Sequence, residues 1–242
     1  MKINFSKWEG LIHQPTWYFD IITDVKPLLS LKKSNPEEYE EIKESVYDFF
    51  EGHLMRGDIV LGTTGKDWDA ERKPIDSVII HHTAIAYPLS PERLSAITLF
   101  RLYASYYANP YDLGDKEIKG QPIYSGHFRN GKQIFWPYHW TVRKGGECER
   151  LLNDNETGWQ AGNWDVNCKS AAIVLDNNYE SSIPSAVELN AVAKIIKEHY
   201  PRVKKENIFG HREINPKTTC PSNLFLSHDG IKGWKEELLR RI

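Results

Sequence analysis

The chain has 242 residues, of which 40% are hydrophobic and 12% aromatic, and 31 basic against 33 acidic side chains give a formal net charge of −2. This length allows a sizeable core, as one large domain or as a domain with an extension, and the near-neutral charge gives no electrostatic reason to expect nucleic acid or an anionic membrane as a partner. The chain has three cysteines, Cys148, Cys168 and Cys220, and this small, odd number does not suit a disulfide framework. A Cys148–Cys168 bridge stays possible.

The chain shows no sign of membrane insertion or of an export signal. No apolar run approaches the length of a membrane span. The first residues lack the apolar core of a signal peptide. We therefore expect a product that is cytoplasmic as synthesised.

Residues 1–74 are expected to form a mainly helical N-terminal extension of a domain that spans residues 75–242. A helix is predicted to begin at Pro36, where a capping side chain precedes the proline and acidic residues follow it, and to end near Gly52 or Gly57. The extension holds no convergent set of titratable residues, so we expect it to pack against the domain without being a catalytic unit. The helix is expected to bury the apolar stripe formed by Tyr39, Ile42, Val46, Phe49 and Phe50.

Strands and helices interleave through residues 75–242. An apolar, β-branched run predicts a buried strand at residues 77–82, and Asn-Gly at residues 130–131 predicts a hairpin. Further strands are predicted at residues 138–143, 170–176 and 207–209, and helices from residue 90, over residues 184–200 and over residues 233–242. This alternation predicts an α/β domain with a mixed central sheet flanked by helices.

A short loop near the C-terminus holds His211 and Cys220, whose imidazole and thiolate groups are ligand types that zinc prefers. A catalytic zinc has three protein ligands and an open position, and the end of the strand at residues 77–82 offers a third ligand. Because neighbouring strand residues point to opposite faces, His81 and His82 cannot both reach one metal. The alternative is structural, with His211 as an exposed loop histidine and Cys220 as a small buried cysteine.

Four segments occur in an order that is typical of a known family. They are Ile-His-His-Thr-Ala at residues 80–84, Tyr-His-Trp at residues 138–140, Gly-Trp-Gln-Ala-Gly-Asn-Trp at residues 158–164, and Gly-His-Arg-Glu at residues 210–213 followed by Cys220-Pro221. With them, roughly residues 75–225 resemble the zinc-dependent N-acetylmuramoyl-L-alanine amidases of the type-2 amidase and peptidoglycan-recognition-protein superfamily. The resemblance implies a mixed sheet flanked by helices, with a groove over the sheet and one zinc at the floor of the groove.

The resemblance also implies the ligands of that metal. The first histidine of the strand-end pair binds zinc in the family, which corresponds to His81 here. The other two ligands correspond to His211 and Cys220, and His82 then faces away from the metal.

Further roles are implied for residues around the zinc. Tyr138 matches the family's tyrosine near the metal, and Lys217 matches the lysine that phage-type members place shortly before the cysteine, so both are expected to be catalytic. Trp159, Gln160 and Trp164 are expected to bind substrate, with core or rim packing as the alternative for the two tryptophans.

The chain departs from the family pattern at two positions. Many relatives carry a glutamate where this chain has Val174, and the change removes one proposed general base. Many also carry a histidine where this chain has Gln160, and that change alters the expected polar contacts to the glycan or the stem peptide.

The implied function is hydrolysis of the amide bond between N-acetylmuramic acid and L-alanine of the stem peptide by zinc-activated water. The partner is then peptidoglycan or a muropeptide, and the enzyme is either a phage-type lysin or a wall-recycling enzyme. Release to the cell wall would occur by lysis or by a non-classical route. One alternative is a peptidoglycan-binding module without catalysis, against which Cys220 argues, since superfamily members that lose this ligand only bind. Another is a non-enzymatic domain stabilised by zinc, which would lack an open coordination position. The oligomeric state is not predicted.

Overall fold

The computed structural model describes residues 2–109 and 118–242, and the chain divides into two compact units. The first unit contains Met1–Trp68 and Ser90–Phe135, and the second contains Asp69–Leu89 and Trp136–Ile242. The division of the chain into an extension of residues 1–74 and a domain of residues 75–242 stays a prediction.

The first unit is mainly helical, and the predicted N-terminal helices are present. Its elements are α1 (Phe5–Leu11), α2 (Tyr18–Val25), α3 (Leu28–Ser34), α4 (Pro36–Arg56), α5 (Pro91–Thr98), a π-helical segment (Leu99–Tyr103), α6 (Ala104–Ala108) and a hairpin of β2 (Phe128–Arg129) and β3 (Lys132–Gln133). Helix α4 follows Asn35, whose side chain accepts a hydrogen bond from the Glu38 N–H, and it ends at Gly57 in the left-handed conformation. Large buried aromatic side chains fill the core of this unit, among them Trp8, Trp17, Tyr18, Phe50 and Trp68.

A buried arginine joins α4 and α5 within this unit. The Arg93 guanidinium donates to Glu44 at 2.7 Å, to Asp48 at 2.8 Å and to Glu51 at 3.1 Å. The Arg93 side chain is only 8% exposed. Removing it would leave three carboxylates close together without their shared cation.

Replacing Arg93 by Met is expected to lower the free energy of unfolding by about 2–3 kcal/mol, as lost hydrogen bonds between charged groups do. This loss of stability should be smaller than the loss on breaking a fully buried ion pair, because the three carboxylates keep contact with water. Urea unfolding measures this change in the free energy of unfolding, and Lys7→Met is the matched control. Lys7 forms an exposed ion pair with Asp24, so its loss should cost about 1 kcal/mol or less. Equal stability of Arg93→Met and the wild type would contradict a stabilising role for this network.

The second unit is built on a five-stranded sheet in the order β5-β4-β6-β1-β7. Its elements are β1 (Ser77–His82), β4 (Trp140–Val142), β5 (Cys148–Arg150), α7 (Trp164–Asn167), β6 (Ser170–Leu175), α8 (Ala186–His199), a 3-10 turn (Lys205–Asn207), β7 (Ile208–Gly210), α9 (His211–Ile214) and α10 (Trp234–Arg241). Strands β4, β6, β1 and β7 run parallel, and β5 pairs antiparallel with β4. The predicted α/β class with a mixed central sheet and flanking helices is confirmed.

One face of this sheet forms the core with α8 and α10. Val78 and Ile80 of β1 belong to a buried cluster that includes Val192 and Leu238 from these helices. Because side chains alternate along a strand, His81 points to the opposite face. In register beside it on that second face stand Val174 of β6 and then Thr141 of β4.

Two further observations concern the cysteines and the length and polarity of the helices. All three cysteines are free thiols, so Cys148 and Cys168 form no bridge. Within residues 2–109 and 118–242, every helix is too short or too polar to cross a membrane.

Candidate functional site

Three side chains that the sequence predicts as metal ligands lie together in the second unit. One ligand atom from each of His81, His211 and Cys220 lies within 4.8 Å of the other two. The His81 Nδ1 and Cys220 Sγ atoms are 3.7 Å apart, and the centroids of the two imidazole rings are 4.7 Å apart. His81 and Cys220 are buried and His211 is half-buried. This cluster could hold a metal ion.

The two histidines meet because β1 and β7 are parallel neighbours. Ile80 pairs in register with Gly210, so His81 and His211 follow this pair at equivalent positions. A Cβ atom on Gly210 would come within 2.5 Å of the Phe225 ring. The glycine therefore allows β7 to end against that ring, immediately before His211.

The loop that carries Cys220 folds back onto α9 and β1. The Arg212 N–H donates to the Cys220 carbonyl at 2.7 Å, and the Arg212 guanidinium donates to the Ser222 carbonyl at 2.9 Å. The backbone N–H of His82 donates to the Cys220 sulfur at 3.4 Å. These bonds hold the sulfur at the end of the strand that carries His81.

The His82 side chain lies outside the ligand cluster. Its Nδ1 accepts a hydrogen bond from the Tyr179 N–H at 3.0 Å. Burial lowers the pKa of His82 to about 4, against an opposing influence of Glu180. The ring is therefore neutral at neutral pH.

Burial also controls the protonation of the three clustered side chains. It lowers the pKa of His81 well below the ordinary value, and the neighbouring His211 lowers it further. Burial lowers the pKa of His211 as well, although the Ala161 carbonyl opposes this shift. It raises the pKa of the Cys220 thiol to about 12. Both imidazoles are thus in the neutral form that binds metals, and the thiol would ionise on binding a cation.

Two observations test whether these residues fit a zinc ion. The His211 Nε2 atom is buried and makes no hydrogen bond with the residues that the structure describes, and such an atom calls for a partner. The His81–Cys220 separation of 3.7 Å is close to the value of about 3.6 Å between a nitrogen and a sulfur ligand of tetrahedral zinc. The donor set and its spacing therefore fit zinc.

The two residues predicted to be catalytic occupy different environments. The half-buried Tyr138 ring lies beside the cluster, with its centroid 5.0 Å from that of His81. Lys217 is exposed in the loop between His211 and Cys220, and its backbone N–H donates to the Asn215 side chain at 3.1 Å. The catalytic roles of Tyr138 and Lys217 stay predictions.

The three residues predicted to bind substrate follow Gly158. Trp159 is buried at 4% exposure and Gln160 at 6%, whereas Trp164 is half-buried at the start of α7. The Gln160 amide oxygen accepts a hydrogen bond from His81 Nε2 at 2.5 Å. Substrate contacts of all three residues stay predictions, and the Gln160 side chain is directed at a proposed ligand.

One residue near the cluster was missed in the sequence. The Glu180 carboxylate accepts hydrogen bonds from the Thr219 hydroxyl at 2.9 Å and from the Asn223 amide at 2.6 Å. It therefore links the segment after β6 to the loop that carries Cys220. No local motif marks Glu180, because its partners lie about forty residues further along the chain.

The chain matches one family model and is similar to several solved structures. The model of the family described as N-acetylmuramoyl-L-alanine amidase (Amidase_2) matches residues 71–223. Similar solved structures include the N-acetylmuramoyl-L-alanine amidase LysC from Clostridium intestinale URNW, with 18% identity, 74% of this chain and 89% of that chain covered, and a TM-score of 0.45. The Ph2119 endolysin from the Thermus scotoductus MAT2119 bacteriophage Ph2119 shows 18% identity over 70% of this chain and 85% of that chain, with a TM-score of 0.41. The drosophila peptidoglycan recognition protein SD shows 16% identity over 67% of this chain and 83% of that chain, with a TM-score of 0.41. No curated protein matches the chain.

The family match covers more than half of the chain and contains all three clustered side chains, His81, His211 and Cys220. The resemblance inferred from the sequence is confirmed. The chain belongs to the N-acetylmuramoyl-L-alanine amidase family (Amidase_2).

Proposed function

We propose that this chain is a zinc-dependent peptidoglycan hydrolase that cleaves the amide bond between N-acetylmuramic acid and L-alanine of the stem peptide. Its substrate is then peptidoglycan or a muropeptide. The observation that carries this proposal is the convergence of His81, His211 and Cys220 in a chain of the amidase family. Two imidazoles and a thiol leave a fourth position of a tetrahedral ion open, as catalytic zinc sites do.

The chain's own residues would divide the chemistry among them. Bound in this cluster, zinc would lower the pKa of water toward neutrality and polarise the carbonyl of the scissile amide. The Tyr138 hydroxyl and the Lys217 ammonium would donate hydrogen bonds to the carbonyl oxygen as negative charge develops on it. The leaving amine needs a proton, which water or the Tyr138 hydroxyl would relay.

The sheet offers no carboxylate beside His81 at the position where many relatives carry a glutamate. Val174 stands in register with His81, and its side chain is fully buried. An isopropyl group neither accepts nor donates a proton. In this proposal, polar assistance therefore comes from Tyr138 and Lys217.

The test is to identify the bonds that the purified protein breaks in purified peptidoglycan. We expect new amino-terminal L-alanine without new reducing ends, because an amidase separates peptide from glycan and leaves the glycosidic bonds intact. Chelation should abolish the release of L-alanine amino groups, and added zinc should restore it.

Two outcomes would contradict the proposal. New reducing ends would indicate cleavage of the glycan strands. Binding to peptidoglycan with no bond cleavage, even with added zinc, would indicate a binding module. A Cys220→Ala variant assayed in parallel controls for hydrolases carried over from purification.

A further inference from the structure

Gln160 connects a proposed metal ligand to the interior of the sheet. Its Oε1 accepts a hydrogen bond from His81 Nε2 at 2.5 Å, and its Nε2 donates to the Ser170 hydroxyl at 3.0 Å. Gln160 and Ser170 are both buried, at 6% and 1% exposure. Both ends of the amide are therefore engaged inside the protein.

This contact determines which nitrogen of His81 carries the proton. An amide oxygen only accepts hydrogen bonds, so the imidazole must present an N–H at Nε2. The neutral ring then has its lone pair on Nδ1. That atom lies 3.7 Å from the Cys220 sulfur, on the side where the three potential ligand atoms converge.

The opposite arrangement would present the wrong atom. With the amide rotated, its NH₂ group would face Nε2, which would then have to be the acceptor. The proton of a neutral ring would move to Nδ1, and a protonated nitrogen cannot bind a metal. The orientation of one amide thus separates a competent ligand from an incompetent one.

The backbone that carries this amide is restrained by its own loop. The side-chain oxygen of Asn167, itself buried at 4% exposure, accepts hydrogen bonds from the Gln160 N–H at 3.3 Å and from the Ala161 N–H at 2.9 Å. Gly162 follows with φ of +64°, and a Cβ there would lie 2.7 Å from the Asn215 side chain. A loop held in this way leaves the Gln160 side chain little freedom to leave His81.

We propose that Gln160 is a positioning residue whose amide oxygen keeps the His81 proton on Nε2 and so presents Nδ1 to the metal. The inference rests on the proposed function for the presence and the identity of the metal, whereas the position of the His81 proton does not depend on it. Partners in the outer shell of a metal site of this kind typically change metal affinity by about 10–100-fold when they are removed.

The experiment compares three substitutions at one position. Gln160→Met has a similar length and only a weakly accepting sulfur, Gln160→Asn withdraws the amide by one methylene, and Gln160→Glu keeps a strong acceptor facing His81. Thr141→Val is the matched control, since Thr141 is buried on the sheet face that carries His81, and its hydroxyl makes no hydrogen bond with the described residues. Thermal unfolding identifies the variants that retain the fold.

The first measurement uses metal-free protein at neutral pH, where nitrogen-15 NMR of the His81 ring reports the tautomer. We expect the Nε2–H form in the wild type, Gln160→Glu and Thr141→Val, and a shift toward Nδ1–H in Gln160→Met and Gln160→Asn. The second measurement is zinc affinity by competition with a chelator. We expect affinity about 10–100-fold weaker for the Met and Asn variants, and close to wild type for Gln160→Glu and Thr141→Val.

Unchanged tautomer and unchanged zinc affinity in the folded Met or Asn variant would overturn the role of Gln160. Equal losses in Gln160→Glu and Gln160→Met would also overturn it, because the retained acceptor would then have no effect. Wild-type protein that binds no zinc would instead contradict the proposed function. The tautomer of the metal-free protein still tests Gln160 in that case.

Discussion

Cys220→Ala and His81→Ala are each expected to lose the bound zinc and, with it, the amidase activity. Each substitution removes one of three potential ligand atoms that lie within 4.8 Å of one another. Two remaining protein ligands fall short of the three that catalytic zinc sites use. Loss of the Cys220 thiolate also removes the anionic ligand, so the charge of the ion would be left without compensation in a buried site.

Metal analysis of the purified proteins measures this result. The matched control is Cys168→Ala, since Cys168 is a buried free thiol of the same unit and lies outside the ligand cluster. One zinc per chain is expected in the wild type and in the control. Full occupancy in both Cys220→Ala and His81→Ala would show that the ligands have been assigned wrongly.

Most elements of the fold could be predicted from local patterns, because their signals lie within a few residues. The cap at Asn35 and the apolar run of β1 locate a helix and a strand at the expected positions. The turn at Asn130-Gly131 has positive φ at both residues, as the Asn-Gly pair predicts for a hairpin.

The predicted strands are longer than the observed ones where side chains replace main-chain partners. The sequence predicts a strand over residues 138–143, whereas β4 covers Trp140–Val142. At the position before it, the His139 ring accepts the Ala172 N–H at 3.1 Å through Nδ1. Before the hairpin, the Ser125 N–H donates at 2.5 Å to the side chain of Gln133 in β3. Hydrophobic patterning carries no information about such substitutions of one acceptor for another.

The candidate site shows the same limit at longer range. The grouping of His81, His211 and Cys220 could be predicted because imidazole and thiol groups in ordered motifs are distinctive. Their role as metal ligands stays a prediction. The side chains that hold the clustered residues in place could not be predicted, since the Gln160–Ser170 contact depends on how the loop before α7 lies over β6. The bonds of Glu180 to Thr219 and Asn223 likewise depend on the meeting of two distant loops. Only the tertiary fold brings these pairs within hydrogen-bonding distance.

Tyr138→Phe and Lys217→Ala are each expected to lower the turnover of a soluble muropeptide by about 10²–10³, the usual effect of removing one donor to a developing oxyanion. Zinc content should hardly change. The Phe variant keeps the ring that lies 5.0 Å from the His81 ring, and Lys217 is exposed and contributes no ligand atom. A fall in turnover at constant zinc content separates a catalytic role from damage to the metal site.

The comparison needs a control for the loss of surface charge. Lys232 is another exposed lysine of the same unit, and Lys232→Ala should keep wild-type turnover. With buried Val174 unable to take part in proton transfer, this chain has fewer polar groups to share the task, so each remaining donor should have a large effect. Lys217→Ala with turnover near that of Lys232→Ala would show that Lys217 is a solvated loop residue. Tyr138→Phe would then have to account for the whole loss of oxyanion stabilisation.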